Sequence, residues 1–113
     1  MRALSARSVR TPEAVLRALA DPTRRAIFER LVRGEAAVKD LTARASVSQP
    51  AVSQHLAALR SASLVTVRRE GRIVYYRAKP GGLKPLVNWL AHYQEFWPHK
   101  INRLKTLLEE MEP

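Results

Sequence analysis

The sequence predicts a mainly α-helical chain with one small β-hairpin, in the order α-α-α-α-β-β-α, the last helix being continuous or a kinked pair. Three observations carry that prediction. Apolar residues recur at helical spacing in four successive segments ahead of Leu64, the period drops to two from Val65 to Tyr76, and a long stripe of alternating three- and four-residue steps begins at Leu83.

The elements follow in order. Thr11-Pro12 joins an N-cap hydroxyl to a residue whose fixed φ suits a first helical turn and whose missing N–H is not needed there. Val15, Leu16 and Leu19 then recur at helical spacing up to Ala20. Asp21-Pro22 repeats the start signal and opens a second helix with Ile27, Leu31 and Val32 on one side, and Gly34, just beyond Arg33, stops it. Residues 37–45 turn Val38 and Leu41 inward but lack a good N-cap, which predicts a short third helix with an uncertain start. After the tight connection Val47-Ser48, Ser48 caps a fourth helix reaching about Ser61. Two short helices joined by a few residues form a helix-turn-helix unit.

Along Ser48-Gln49-Pro50-Ala51-Val52-Ser53-Gln54-His55-Leu56-Ala57-Ala58-Leu59-Arg60, a step of about 100° per residue gathers Val52, Leu56 and Leu59 into one apolar stripe. Pro50, Ser53, Gln54 and Ala57 share the opposite face. That face is small, polar and almost uncharged, whereas a merely solubilising face would carry Lys and Glu. Ser and Gln are short hydrogen-bonding groups that reach base edges in a major groove, so the pattern reads as a DNA recognition helix. His55 lies beside the apolar stripe and reads as a packed, hydrogen-bonded histidine. Arg24 and Arg25 are expected to make structural salt bridges with Glu29 or Asp21.

Past Leu64, Val65 and Val67 alternate with polar residues, Glu70-Gly71-Arg72 forms a turn, and Ile73, Val74, Tyr75 and Tyr76 return. Thr66, Arg68 and Arg72 point outward, and a basic hairpin directly after a recognition helix suits a DNA-binding wing. Pro80-Gly81-Gly82 ends it. The stripe that follows is Leu83, Leu86, Leu90, Tyr93, Trp97, Ile101, Leu104, Leu108 and Met111, close to a coiled-coil seam and too long for so small a core to bury alone. Self-association is the economical explanation. Pro98 lacks the N–H that would bond four residues back, so a kink or break is expected near Phe96 to Pro98.

The 113 residues, 46% of them hydrophobic, suit one domain over 11–113, divided into a DNA-binding core and wing at 11–82 and a dimerisation segment at 83–113; residues 1–10 form a mobile basic arm. A net charge of +10 and a pI near 11.1 favour a polyanionic partner, nucleic acid or an acidic membrane surface. Residues 1–33 hold eight basic and three acidic residues, 34–60 three and two, 61–81 five and one, and 82–113 four and four. A basic body with a neutral, apolar-striped tail suggests a nucleic-acid surface and a separate protein-contact surface. With no cysteine, disulfides, thiolate metal sites and thiol redox sensing are excluded. No run approaches the roughly 18 apolar residues of a membrane span, and the first ten residues lack the apolar core of a secretory signal, so the expected location is the cytoplasm.

Three segments together resemble the ArsR/SmtB group of bacterial winged-helix transcriptional repressors, over residues 16–108. They are Leu16-Arg17-Ala18-Leu19-Ala20-Asp21-Pro22-Thr23-Arg24-Arg25, the stretch from Ser48 to Leu56, and Leu64-Val65-Thr66-Val67-Arg68-Arg69-Glu70-Gly71-Arg72-Ile73-Val74-Tyr75-Tyr76-Arg77. The resemblance implies a winged helix-turn-helix fold, a homodimer with the first and fifth helices at its interface, and binding to an inverted repeat in a promoter. Independently, a two-fold dimer presents its recognition helices to major grooves roughly 34 Å apart, so its operator is expected to be an imperfect palindrome.

Base readout falls to Gln49, Ser53 and Gln54, with Pro50 and Ala57 against thymine methyls. Phosphate contacts fall to Arg44, Ser48, Arg60, Arg68, Arg69 and Arg72. The expected dimer surface comprises Leu16, Leu19, Leu83, Leu86, Leu90, Tyr93, Trp97, Ile101, Leu104 and Leu108.

Many members of the group sense metals through cysteine pairs, absent here, or through carboxylate and histidine ligands on the last helix. His92, Glu95 and His99 are the nearest counterpart. The family pattern has an aspartate where this chain has Leu90 and a second histidine where it has Arg103. The expectation is therefore no metal and no cofactor. A glycine-rich phosphate loop is absent, and Ser53 and His55 lie on different faces, which argues against an enzyme. The leading reading is a homodimeric, metal-independent repressor. The alternatives are a winged-helix protein-interaction module, a repressor that senses metal through His92, Glu95 and His99, and an architectural DNA binder without a palindromic site.

Overall fold

The computed structural model describes residues 10–93 and 98–111, with side chains described for all of these except 98–101. The expected arm at 1–10 therefore lies, apart from Arg10, outside the described residues.

Three helices start as their local sequence dictates. In α1 (Pro12–Ala20) the Thr11 hydroxyl accepts from the Ala14 N–H at 3.1 Å, and in α2 (Pro22–Val32) the Asp21 carboxylate accepts from the Arg24 N–H at 2.8 Å. After β1 (Ala36–Ala37) and α3 (Val38–Arg44), which lacks a side-chain cap, Ser48 caps α4 (Gln49–Ser61) by accepting from the Ala51 N–H at 3.3 Å. Where α1 stops there is no glycine. The α2 guanidinium groups serve its last carbonyls instead: Arg25 donates to Leu19 at 2.8 Å, and Arg24 donates to Arg17 and Ala18, each at 3.4 Å. The expected ion pairs of Arg24 and Arg25 with Asp21 or Glu29 thus give way to capping, because a one-residue connection folds the start of α2 onto the negative end of the α1 dipole.

The end of α4 is a Schellman-type stop built without glycine. Ser63 takes the left-handed conformation, φ 62, its N–H donates to the Arg60 carbonyl at 3.0 Å, and the Leu64 N–H donates to the Leu59 carbonyl at 2.9 Å. Leu59 and Leu64, the apolar pair that accompanies such a stop, are both fully buried. The chain then forms β2 (Val65–Glu70) and β3 (Ile73–Ala78), paired antiparallel with Glu70 opposite Ile73, so Gly71 and Arg72 make a two-residue turn. Gly71 alone of the pair has positive φ, 62, the signature of a II′ turn. A third strand, β1, pairs on the far side of β3, with Ala36 opposite Tyr76 and Ala37 opposite Tyr75.

The core is one cluster that includes Val15, Ile27, Phe28, Leu31, Leu41, Val52, Leu56, Leu59, Leu64 and Val65. The buried side of α2 ends one turn earlier than its sequence suggests. Val32 is 48% exposed and Phe28 takes its place inside; α1 buries Val15 and Ala18 while Leu16 remains outside. A short 3₁₀ turn (Pro80–Leu83) leads into α5 (Lys84–Ala91), which packs on α1, and α6 (Pro98–Met111) follows. The C-terminal stripe is thus carried by two helices. α5 closes at Ala91, ahead of the break expected near Phe96 to Pro98; residues 96 and 97 of that expectation lie outside the described ones. Pro98 begins α6, where its missing N–H has no intrahelical role to fill. Among the described residues no helix is long and apolar enough to cross a membrane.

Candidate nucleic-acid interface

α4 is anchored between α2 and α3 through Val52, Leu56 and Leu59, all at 0% exposure. Complete burial of that stripe forces the opposite face outward. Gln49, Pro50, Ser53, Gln54, Ala57 and Arg60 are exposed together, with Ser48 at the helix start and Arg44 at the end of α3 exposed beside them. The fold therefore brings these proposed base- and phosphate-contacting residues onto one continuous surface, which also presents backbone N–H groups of the α4 N-terminus.

His55 belongs to the support of that helix. Arg24 Nε–H donates to its Nδ1 at 3.4 Å, and its Nε2 lies 3.9 Å from the Asp21 carboxylate. The ring thereby ties the middle of α4 to the start of α2. Asp21 is held below the ordinary carboxyl value of 3.8, first by the Arg24 backbone N–H and then by the charges around it.

The wing divides its cations between two faces. Strand alternation places Val65, Val67 and Arg69 with Ala78, Tyr76 and Val74 on one face, and Thr66, Arg68 and Glu70 with Arg77, Tyr75 and Ile73 on the other. Arg68 and Arg69 thus point in opposite directions. Arg68 is engaged by Glu35 and by Glu70, the latter at 2.6 Å, and its guanidinium lies 4.7 Å from the centre of the Tyr75 ring. Arg77 reaches Glu35 at 3.3 Å. Arg69 and Arg72 are exposed, without an ion pair to any described residue.

The residues expected at a dimer surface behave unequally. Leu16 is 46% exposed on α1, and Tyr93 and Leu104 are exposed as well. Leu19, Leu83 and Leu86 are half-buried against the protomer's own core, and Leu90 and Leu108 are also half-buried. Trp97 and the Ile101 side chain lie outside the described residues. Trp89, whose helical spacing puts it with Trp97 in an expected dimer core, is exposed, as is Leu107, which has no place in the expected surface; both flank the stripe rather than lie on it. Trp89 and Tyr93 meet edge to face, with ring centres 5.5 Å apart.

For a metal, Glu95 and the His99 side chain lie outside the described residues, and His92 donates from Nδ1 to the Trp89 carbonyl at 3.3 Å. The described residues contain no cluster of three or more potential ligands.

A helix-turn-helix seated on a three-helix core, with a hairpin wing beside it, defines a DNA-binding regulator class, and comparison with known proteins narrows it. A family model described as a helix-turn-helix domain matches residues 19–68. The chain is 42% identical over 100 residues to the HTH-type transcriptional regulator Rv2034 of Mycobacterium tuberculosis, spanning 88% of this chain and 91% of that one. It is 32% identical over 79 residues to the transcriptional repressor SdpR of Bacillus subtilis, spanning 70% of this chain and 88% of that one. Among solved structures, an ArsR-like transcriptional regulator from Rhodococcus sp. RHA1 superposes with a TM-score of 0.69 at 30% identity, over 85% of this chain and 91% of that chain. The chain belongs to the ArsR/SmtB family of winged helix-turn-helix proteins, a family of DNA-binding transcriptional regulators and not of enzymes.

Proposed function

We propose that the chain is a homodimeric repressor that binds an imperfect inverted repeat in a promoter, in the cytoplasm and without a metal. The observation that carries this reading is the exposed, uncharged polar face of α4, held rigidly by a completely buried stripe and flanked by exposed cations. Gln49, Ser53 and Gln54 read base edges, Pro50 and Ala57 meet thymine methyls, and Arg44, Ser48, Arg60, Arg69 and Arg72 hold phosphates. The exposed apolar side chains Leu16, Trp89, Tyr93, Leu104 and Leu107 support pairing of two copies through α1, α5 and α6.

Sequencing the genomic fragments retained by the purified protein tests the proposal. A shared palindrome with half-sites about one helical turn apart is expected. Gln54→Ala should narrow the difference in affinity between retained and mixed-sequence DNA. Arg72→Ala should weaken both alike and make the salt dependence shallower by about 1.8, about 0.9 for each protomer of the dimer. Equal wild-type affinity for retained and mixed-sequence fragments would overturn it, and a need for added zinc would overturn its metal independence.

A further inference from the structure

Residues 61–81 carry Arg68, Arg69, Arg72, Arg77 and Lys79 against Glu70, a net +4, yet the folded wing does not present that charge uniformly. Glu35, placed just ahead of β1 and outside the hairpin, reaches the face that holds Arg68 and Arg77. Its Oε2 accepts from Arg68 Nη2, while its Oε1 accepts from Arg68 Nε at 3.4 Å and from Arg77 Nη2 at 3.3 Å. Arg68 Nη1 donates to Glu70 at 2.6 Å, so each of the Arg68 guanidinium nitrogens is engaged, and the Tyr75 ring lies against the group. Two arginines and two carboxylates leave this face balanced. Arg69 on the other face and Arg72 at the turn are without a carboxylate partner among the described residues.

We propose that Glu35 is a specificity-setting residue: it holds Arg68 and Arg77 as an internal ion cluster, withdraws them from DNA phosphates, and leaves Arg69 and Arg72 as the cations that the wing offers to the backbone. The inference rests on the DNA-binding reading above. Its physical basis is that a phosphate contact strengthens binding to every sequence, so each additional free arginine raises the background against which the operator must be found. A tethered carboxylate competes with phosphate for the same guanidinium donors and does so at every sequence. Arg68 keeps Glu35 below the ordinary carboxyl value of 4.5, so the carboxylate remains charged throughout the neutral range. Glu35 also joins the helix-turn-helix side of the chain to the wing, across 33 residues to Arg68 and 42 to Arg77.

The test measures binding of the full chain to a short mixed-sequence duplex and to a genomic fragment that it retains, over a salt series. Glu35→Gln removes the competing charge. The slope of log affinity against log salt on the mixed duplex should steepen by about 1.8 to 3.6 for the dimer, about 0.9 for each arginine released in each protomer. Affinity for that duplex should rise more than affinity for the retained fragment, and the double variant Glu35→Gln/Arg68→Ala should lose about half of the added slope. A folded Glu35→Gln protein with the wild-type slope overturns the proposal, as does one whose only change is a lower melting temperature. If Glu35→Gln does not fold, Arg77→Ala decides: an unchanged slope supports withdrawal from phosphate, and a slope shallower by about 1.8, from the two copies in a dimer, overturns it. A wild-type chain with no salt-dependent affinity for any duplex overturns the DNA reading itself. Wild-type binding with an unmoved Glu35→Gln slope removes this inference alone.

Discussion

α4 and α6 are both amphipathic, and they dispose of their apolar sides in opposite ways. α4 spends Val52, Leu56 and Leu59 entirely inside its own chain, which leaves only Gln49, Ser53, Gln54 and their small neighbours to meet another molecule. α6 leaves Leu104 at 37%, Leu107 at 50% and Met111 at 71% exposure, and a cavity of about 570 Å³ bounded in part by Val32, Leu83, Val87, Leu108 and Met111 lies where α5 and α6 face the body. A 14-residue helix has little stability of its own in water, so its persistence depends on what covers it. A stripe consumed within the protomer makes a rigid reading head, whereas a stripe left open makes a surface whose order is supplied by assembly. On the proposed reading, one helix is specified by folding and the other by association.

The largest test of that contrast pairs Leu56→Ala with Leu107→Ala. Truncating Leu56, at 0% exposure, should cost about 2–5 kcal/mol in urea denaturation, through lost transfer energy and the void left behind. Leu107→Ala should move the stability of the isolated chain by no more than about 0.5 kcal/mol, and its effect should instead be seen as weaker self-association by sedimentation. Equal losses at both positions, independent of protein concentration, would abolish the distinction.

Smaller in effect is Gly82→Ala, which probes how the open half is joined to the closed one. A β-carbon at Gly82 would sit 2.1 Å from the Ser63 carbonyl oxygen and 2.9 Å from its carbon, where the turn before α5 closes over the end of α4. Backbone must move to admit it, and a loss of about 1–3 kcal/mol in thermal or chemical unfolding is expected. Ser48→Ala should cost about 1 kcal/mol through the lost cap and should also weaken DNA binding at all sequences. A stability loss with unchanged DNA affinity would confine Ser48 to capping.

The same contrast explains what could be read from the amino-acid order. Thr11, Asp21 and Ser48 announce their helices because a cap bonds a backbone N–H three residues on, well within local sequence. The polar face of α4 was legible for the same reason. β1 was not, since Ala36-Ala37 carries no alternation and is a strand only because Tyr76 and Tyr75 arrive beside it. Glu35 gives no local signal because both its partners are distant in sequence, and a charge count along the hairpin does not reveal that Arg68 has a carboxylate partner outside it. Phe28 and Val32 share one face of α2, four residues apart, and the buried one is Phe28 because Val32 is the last residue of the helix. The stop near Ser61 was legible but its device was not, since a serine takes the left-handed conformation that glycine would have marked.

Acid should separate the two halves, with the smallest effect of all. Asp21 and Glu35 both titrate below their ordinary values of 3.8 and 4.5, the first through the Arg24 N–H and the second through Arg68. A carboxyl whose folded pKa is depressed binds protons more readily in the unfolded chain. Its stabilisation is therefore in place above the ordinary value and is lost as the pH falls through the folded one. Both groups brace the DNA-reading half, Asp21 beside His55 under α4 and Glu35 beneath the wing. Urea midpoints should accordingly be flat near neutrality and fall below about pH 4.5, and Asp21→Asn should flatten part of that fall. Both groups are solvent-accessible, so salt should reduce the effect. A wild-type midpoint that rises as the pH drops from 5 to 3 would reverse the sign and show that these carboxylates do not hold the reading half together.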